Sequence, residues 1–401
     1  MFRKVTRAPA MALALRFALL AAGAETMGAC TGAIGEGMGS EPLPAGRGGG
    51  GGSAGGDGGA GSAAGHVGQT ATDPGRITMH RLNRVEYNNT VRDLLGTNLR
   101  PADEFPADDR GDGFDNIADI LSLSPLQLGM YRDAATKLVD DLMASPTRRA
   151  KLVGCDLADG ESCADVVLRT FAPRAWRRSV ADDEVDRLMR PVRLAVSQGD
   201  GAELGLKLAL QAVLLSPHFV FRVELDPSPT SATPHPVGQH ELASRLSYFL
   251  WSTMPDDELL RAADAGALGT RDDVAAQARR MLGSPKAEAL VSNFAGQWLL
   301  TRKLDELTPD PLEFPDYDAA LRASMQAETQ LFVRETIFNG LPADQLLTAD
   351  FTFVDNRLAQ HYGLPSPGSI EMKRVSLTGH HERGGLLGHA GLLTVTSHAT
   401  R

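Results

Sequence analysis

After residue 76 apolar side chains recur every three to four positions, the spacing of helices that bury one face. Leu82, Val85, Val91, Leu94 and Leu95 fall on one such face, and Gly96 stands where a C′ glycine ends a helix. Ser124-Pro125 predicts an N-cap followed by Pro at the first helical position, with Met130, Ala134, Leu138 and Leu142 behind it. Ser179 and Asp182 make a capping-box pattern ahead of Val185, Leu188, Met189 and Val192. A helix through Leu204, Leu208, Ala212 and Leu215 is broken at Ser216-Pro217. Leu242, Leu246, Phe249 and Leu250 mark the next, and Pro255 opens one through Leu259 and Ala263 to Gly266. Thr270 and Asp273 form another capping box, before Val274, Ala278, Met281 and Leu282. Leu290, Phe294 and Trp298 stand at spacing four, and Leu321, Met325, Phe332 and Val333 lie on a long amphipathic helix ended near Gly340. Strand-like runs are limited to His218–Glu224 and Phe351–Val354. The expected fold is mainly α, in multi-helical, bundle-like domains, with no fixed repeat.

The first 75 residues follow another logic. Arg3, Lys4 and Arg7 precede an Ala/Leu run, Ala8 to Ala24, that only Arg16 interrupts. It is too short and too interrupted to span a bilayer and reads as an export signal, with initiation at Met11 as a cleaner variant. Met27-Gly28-Ala29-Cys30 resembles a bacterial lipobox, although Met27 replaces the usual Leu and Glu25 is an odd neighbour. Cys30 is therefore the expected lipidation site; an ordinary secretory peptide is the alternative. From Gly46 to Gly61, 11 of 16 residues are Gly, too little apolar area to offset chain entropy. A flexible linker over 31–75 would span ~35 Å and lift the folded part off a membrane.

Composition narrows the function. Of 401 residues 50 are acidic and 40 basic, a formal net charge of −10, which argues against nucleic acid as the partner. Cys155 and Cys163, separated by the polar loop DLADGES, read as a disulfide in an exported chain; a metal site or free thiols are the rivals. Residues 108–119 place Asp108, Asp112, Asn116 and Asp119 at positions 1, 5, 9 and 12 of an EF-type loop, with Gly113 at 6. Arg110 spoils position 3, so a structural turn in which Phe114 anchors the loop and Asp108 contributes little is favoured over Ca²⁺. Five of the ten histidines, His361, His380, His381, His389 and His398, fall near the end without a fixed metal-binding spacing. His361 is expected to pack beside Tyr362. Arg245, Tyr248 and Trp251, at spacing three, could line a groove or simply pack between helices, with Arg245 meeting Asp256 or Asp257. No nucleophile elbow or phosphate loop is present, and without C-x-x-C-H no covalent haem is held in this chain.

Eight ordered strings, beginning with RLNRVEYNNTVRDLLG (81–96) and GFDNIADILSLSP (113–125), make the chain resemble a family. The others are FAPRAWRRSV (171–180), SPHFVFRVE (216–224), ELASRLSYFLWSTMPDDELL (241–260), FAGQWL (294–299), FVDNRLAQHYGL (353–364) and RGGLLGHAGLLTVTSHATR (383–401). They resemble planctomycete-type secreted multidomain proteins, also common in myxobacteria, built from consecutive domains of unknown function. Some such relatives add a c-type haem module. The resemblance implies that the last string stops mid-motif, so a truncated C-terminus is expected. The domain reading is a signal to residue 30, a linker over 31–75, helical domains over 76–150, 151–225 and 226–365, and the start of another over 366–401. Two functions remain open. One is a lipid-anchored outer-membrane or cell-surface protein, or a periplasmic one, that binds an envelope protein or extracellular polymer. The other is an envelope hydrolase or redox accessory with a metal-assisted site completed further along the chain.

Overall fold

The computed structural model describes residues 79–225, 235–380 and 383–397. The export signal, Cys30, the Gly-rich linker, His381 and His398 lie outside the described residues. Helices dominate. β1 (His80–Arg81) leads into α1 (Arg84–Leu95), where Asn83 and Glu86 form a capping box and Gly96 ends the helix in the left-handed conformation. The acidic loop then leads to α2 (Pro125–Ala144), capped by Ser124 with Pro at its start, as the sequence predicts. α3 (Pro146–Val153), α4 (Glu161–Trp176), α5 (Asp182–Ser197), α6 (Ala202–Leu215) and the short α7 (Pro217–Val220) follow, and β2 (Phe221–Arg222) pairs antiparallel with β1. One continuous core joins Leu82, Tyr87 and Leu138 to Leu168, Leu210 and Phe219, across the boundary expected near residue 150.

Two expectations shift here. α5 is capped at Ala181, not Ser179, because Glu184 turns back to accept from the Ala181 N–H while also holding Arg178. Of the strand expected over 218–224, only Phe221–Arg222 forms, because Ser216 and Pro217 start a helical turn first.

α5 and α6 cross closely at Gly205, where a Cβ would sit 2.5 Å from the Val192 Cα and 3.0 Å from the Pro191 carbonyl. Backbone cannot yield as a flexible side chain can, so Gly205→Ala should cost about 1–3 kcal/mol. Urea unfolding is the check, and an unchanged midpoint would mean that the helices part without strain.

The second half begins with α8 (Gln239–Trp251), α9 (Asp257–Asp264) and α10 (Arg271–Leu282), the last with the expected Thr270–Asp273 box. Leu290–Ala295 is a π-helical turn running into α11 (Gly296–Trp298). The extra residue per turn rotates the spacing-four row, so Leu290 is buried while Trp298 is 47% exposed. α12 (Ala319–Phe338), α13 (Gln345–Thr348), β3 (Phe351–Val354), α14 (Asn356–Tyr362), β4 (Lys373–Ser376) and α15 (Ala390–Thr396) complete the order. β3 and β4 pair antiparallel, and Leu377 and Ala390 share a core with Leu321, Met325 and Leu358. The boundary expected at 365/366 thus falls between elements that pack together. Among the described residues no helix is long and apolar enough to cross a membrane.

Candidate functional site

The strings that single out this sequence converge on one cluster of charged side chains. Arg177 ends α4 with φ of +58° and is 3% exposed. Its guanidinium donates to the carbonyls of Ala175, His218, Phe219 and Phe221 at 2.8–3.1 Å. It lies over the rings of Phe219 and Tyr248, and burial pushes its pKa down. Arg222 of β2 also lies over Tyr248, 5.1 Å from the ring centroid, and comes within 4.0 Å of the Glu86 carboxylate. Burial raises the pKa of Glu86 against that partner. Arg178 holds Glu184 through two bonds, which pull the Glu184 pKa down to about 2. Arg245 holds Glu224 in the same manner.

Between these pairs lies a small pocket of about 20 Å³, lined by Trp176, Arg178, His218, Arg222 and Arg245 and also by the carboxylates Glu224 and Glu241. That is room for one water-sized group. Three buried nitrogens on its lining, Arg178 Nε, Arg222 Nε and His218 Nδ1, have no hydrogen-bond partner. Burial and Arg178 lower the pKa of His218, so its ring is neutral at pH 7 and offers one N–H. The arrangement gathers three guanidinium groups and a neutral imidazole, with two carboxylates among them, around a water-sized space.

The groove residues part company. Arg245 lines this pocket, and its partner is Glu224. Tyr248 and Trp251 are each 3% exposed: the Tyr248 hydroxyl meets Thr90 at 2.9 Å and the Trp251 indole donates to the Met281 carbonyl. Asp256 pairs with Arg280 and Asp257 with Arg174. The stripe is interhelical packing apart from its first member.

The acidic loop is a connector. The Asp108 carboxylate, 6% exposed, bonds Arg81 at 2.8 Å and accepts from the Arg84 N–H at the start of α1. Asp108 therefore carries more than the small role the sequence suggests. Asp115 bonds Asn83 and Arg302, and its N–H donates to Gln297. Gln297 continues to Asn293, and Asn293 to Ser252, so a polar line runs from α1 across to α11. Phe114 is half-buried and stacks on Phe294. Asp112 and Asp119 are exposed and Asn116 half-buried. Among the described residues no three His, Cys, Asp or Glu side chains are grouped to hold a metal ion. Cys155 and Cys163 are joined in a disulfide.

One cluster escaped the sequence reading. Glu328, on the buried face of α12, is 1% exposed and accepts from Thr352 at 2.6 Å and from Tyr362 at 2.5 Å. Tyr362 in turn accepts from the Ala390 N–H, and Arg383 lies over its ring. Next to it, His389 Nδ1 meets Thr329 at 3.1 Å while Nε2 is buried without a partner. His361 lies beside Tyr362 as expected. The missed signal is plain: Leu321, Met325, Glu328 and Phe332 keep helical spacing, which puts a carboxyl on an apolar face.

Burial raises the Glu328 pKa from 4.5 to about 7 and lowers that of His389 from 6.5 to about 4. The Glu328 contribution is present below pH ~4.5 and lost as pH rises to ~7; the His389 contribution is present above pH ~6.5 and lost as pH falls to ~4. Each is worth about 3 kcal/mol at full extent. Glu328→Gln should therefore gain about 3 kcal/mol relative to the native protein between pH ~4.5 and ~7.5, read as the slope of melting temperature against pH. Parallel curves would mean that Glu328 ionises normally.

No curated protein and no solved structure matches the chain. Residues 80–144, 163–224 and 237–364 match three families, described as Protein of unknown function (DUF1587), (DUF1595) and (DUF1592). The charged cluster draws Glu86 from the first, Arg177, Arg178, His218 and Arg222 from the second, and Arg245 and Tyr248 from the third. Three such domains in succession give the chain the pattern of the planctomycete-type multidomain proteins of unknown function.

Proposed function

We propose that this is an exported, lipid-anchored cell-envelope protein whose helical body binds an acidic extracellular polymer. Export is supported by the charged, apolar leader and by the Cys155–Cys163 disulfide, since disulfides persist in oxidising compartments. The lipid anchor rests on Met27-Gly28-Ala29-Cys30 followed by the Gly-rich linker. The binding reading is carried by one observation: three buried nitrogens without partners on a single arginine- and histidine-lined pocket. An acidic group docking there would meet the Arg178, Arg222 and Arg245 guanidinium groups beside Glu224 and Glu241, and would reach the buried nitrogens only as these side chains shift. The net charge of −10 opposes an acidic polymer at long range. Screening over about 8 Å confines that repulsion, so recognition is short-range and one acidic group at a time.

The anchor is tested by Cys30→Ser. The variant should leave the membrane pellet for the soluble fraction, and unchanged sedimentation with membranes would contradict lipidation at Cys30.

A further inference from the structure

A trough on the opposite charge logic lies in the last part of the fold. It runs between the segment 306–317, the first turns of α12 and the exposed face of α15, and has a volume of about 730 Å³, within the range of ligand-binding clefts. Leu307, Phe314, Leu321, Met325 and Leu393 give it an apolar floor and wall. Phe314 and Leu393 remain 47% and 48% exposed. The bordering run DELTPDPLEFPDYD, Asp305 to Asp318, holds six carboxylates and no Lys or Arg.

Three of the six are neutralised by the fold. Asp305 pairs with Arg322, Glu306 with Arg110 and Asp318 with Arg357. The other three, Asp310, Glu313 and Asp316, all line the trough, and among the described residues their carboxylates form no ion pair with Lys or Arg, although Arg357 bonds the Asp316 carbonyl and His361 feels the Asp316 charge. Asp310 accepts from the Leu312 N–H, which fixes the turn without cancelling the charge. The three carboxylates stand at intervals of three residues and are not grouped as a metal site. A single cation would answer only one of them. A chain bearing several cations and apolar side chains answers the carboxylates and the floor together.

We infer that this trough docks a partner polypeptide segment that is both basic and apolar, with Lys or Arg facing Asp310, Glu313 and Asp316 and aliphatic side chains covering Phe314 and Leu393. The trough shares no residue with the arginine-lined pocket, so it stands whether or not that pocket takes an acidic polymer.

The test uses the purified full chain and fluorescence anisotropy of a labelled amphipathic peptide of alternating Lys and Leu pairs. Two controls accompany it: an all-Lys peptide of equal charge and a Glu/Leu peptide of equal length. The Lys/Leu peptide should bind, and the triple variant Asp310→Asn, Glu313→Gln, Asp316→Asn should weaken it about tenfold or more. Raising salt from about 0.05 to about 0.5 M should weaken it as well. Phe314→Ser, an exposed change outside the core, should weaken it while leaving the melting temperature in place. Equal binding by the triple variant, no binding of the Lys/Leu peptide, or equal affinity for the all-Lys peptide would each overturn the inference. Sedimentation analysis covers the remaining occupant: a dimer that Phe314→Ser turns into monomer would mean that a second copy fills the trough.

Discussion

Asp108→Ala should destabilise the protein by about 3–5 kcal/mol, the largest loss expected from any single change in the acidic loop. The substitution leaves the Arg81 guanidinium, 3% exposed, with only the Tyr131 hydroxyl and the Leu82 carbonyl for company. It also strips an acceptor from the first N–H of α1. Replacing both members of a buried pair by apolar groups can be nearly neutral, but removing one leaves an uncompensated charge, and that asymmetry sets the magnitude. Asp108→Asn keeps an acceptor and should lose less. Denaturant unfolding separates the cases; a loss below about 1 kcal/mol would mean that Arg81 finds water or another acceptor. Since Asp108 is already held by Arg81, millimolar Ca²⁺ should leave the melting temperature where EDTA leaves it.

Arg177→Met should cost a similar amount, about 3–5 kcal/mol, by a different route. Methionine matches the apolar stem and satisfies none of the four carbonyls that the guanidinium now bonds. Each buried carbonyl left without a donor costs about 1–3 kcal/mol, partly offset because the desolvated cation is removed too. Arg177→Lys should fall between, since one ammonium cannot reach both the Ala175 carbonyl that Nη1 bonds and the His218, Phe219 and Phe221 carbonyls around Nη2. Unfolding midpoints of the three proteins should rank native, Lys, Met. A methionine variant as stable as the native chain would mean that the carbonyls turn to other donors.

Local chemistry was the part of this fold legible in the sequence. Ser124-Pro125, Thr270 with Asp273, Gly96 and the Cys155/Cys163 pair act over a few residues, and the structure keeps each of them. Ser179 misled because Glu184 accepts from the Ala181 N–H and so sets the helix start two residues later. The strand at His218 shortened for a similar reason, as Ser216-Pro217 starts a turn before β1 can pair. The charged cluster was invisible to spacing rules: Glu86, Arg177, Arg222 and Tyr248 lie far apart in the chain, and only packing brings them together. Of the Arg245, Tyr248 and Trp251 stripe, helical spacing gave the shared helix but not which side faces a neighbour. Glu328 was different. Its place on the apolar face of α12 could be read from Met325 and Phe332, yet its partners Thr352 and Tyr362 come from elements that no local pattern ties to it.

Calorimetric titration of the full chain with a uronic-acid oligosaccharide, beside a neutral oligosaccharide of equal length, tests the binding claim most directly. The acidic oligomer should bind, the neutral one should not, and His218→Ala should weaken the acidic oligomer about tenfold by removing the imidazole from the pocket lining. Equal heats from the acidic and neutral oligomers, or an acidic oligomer that binds His218→Ala as tightly as the native chain, would contradict the assignment of that pocket.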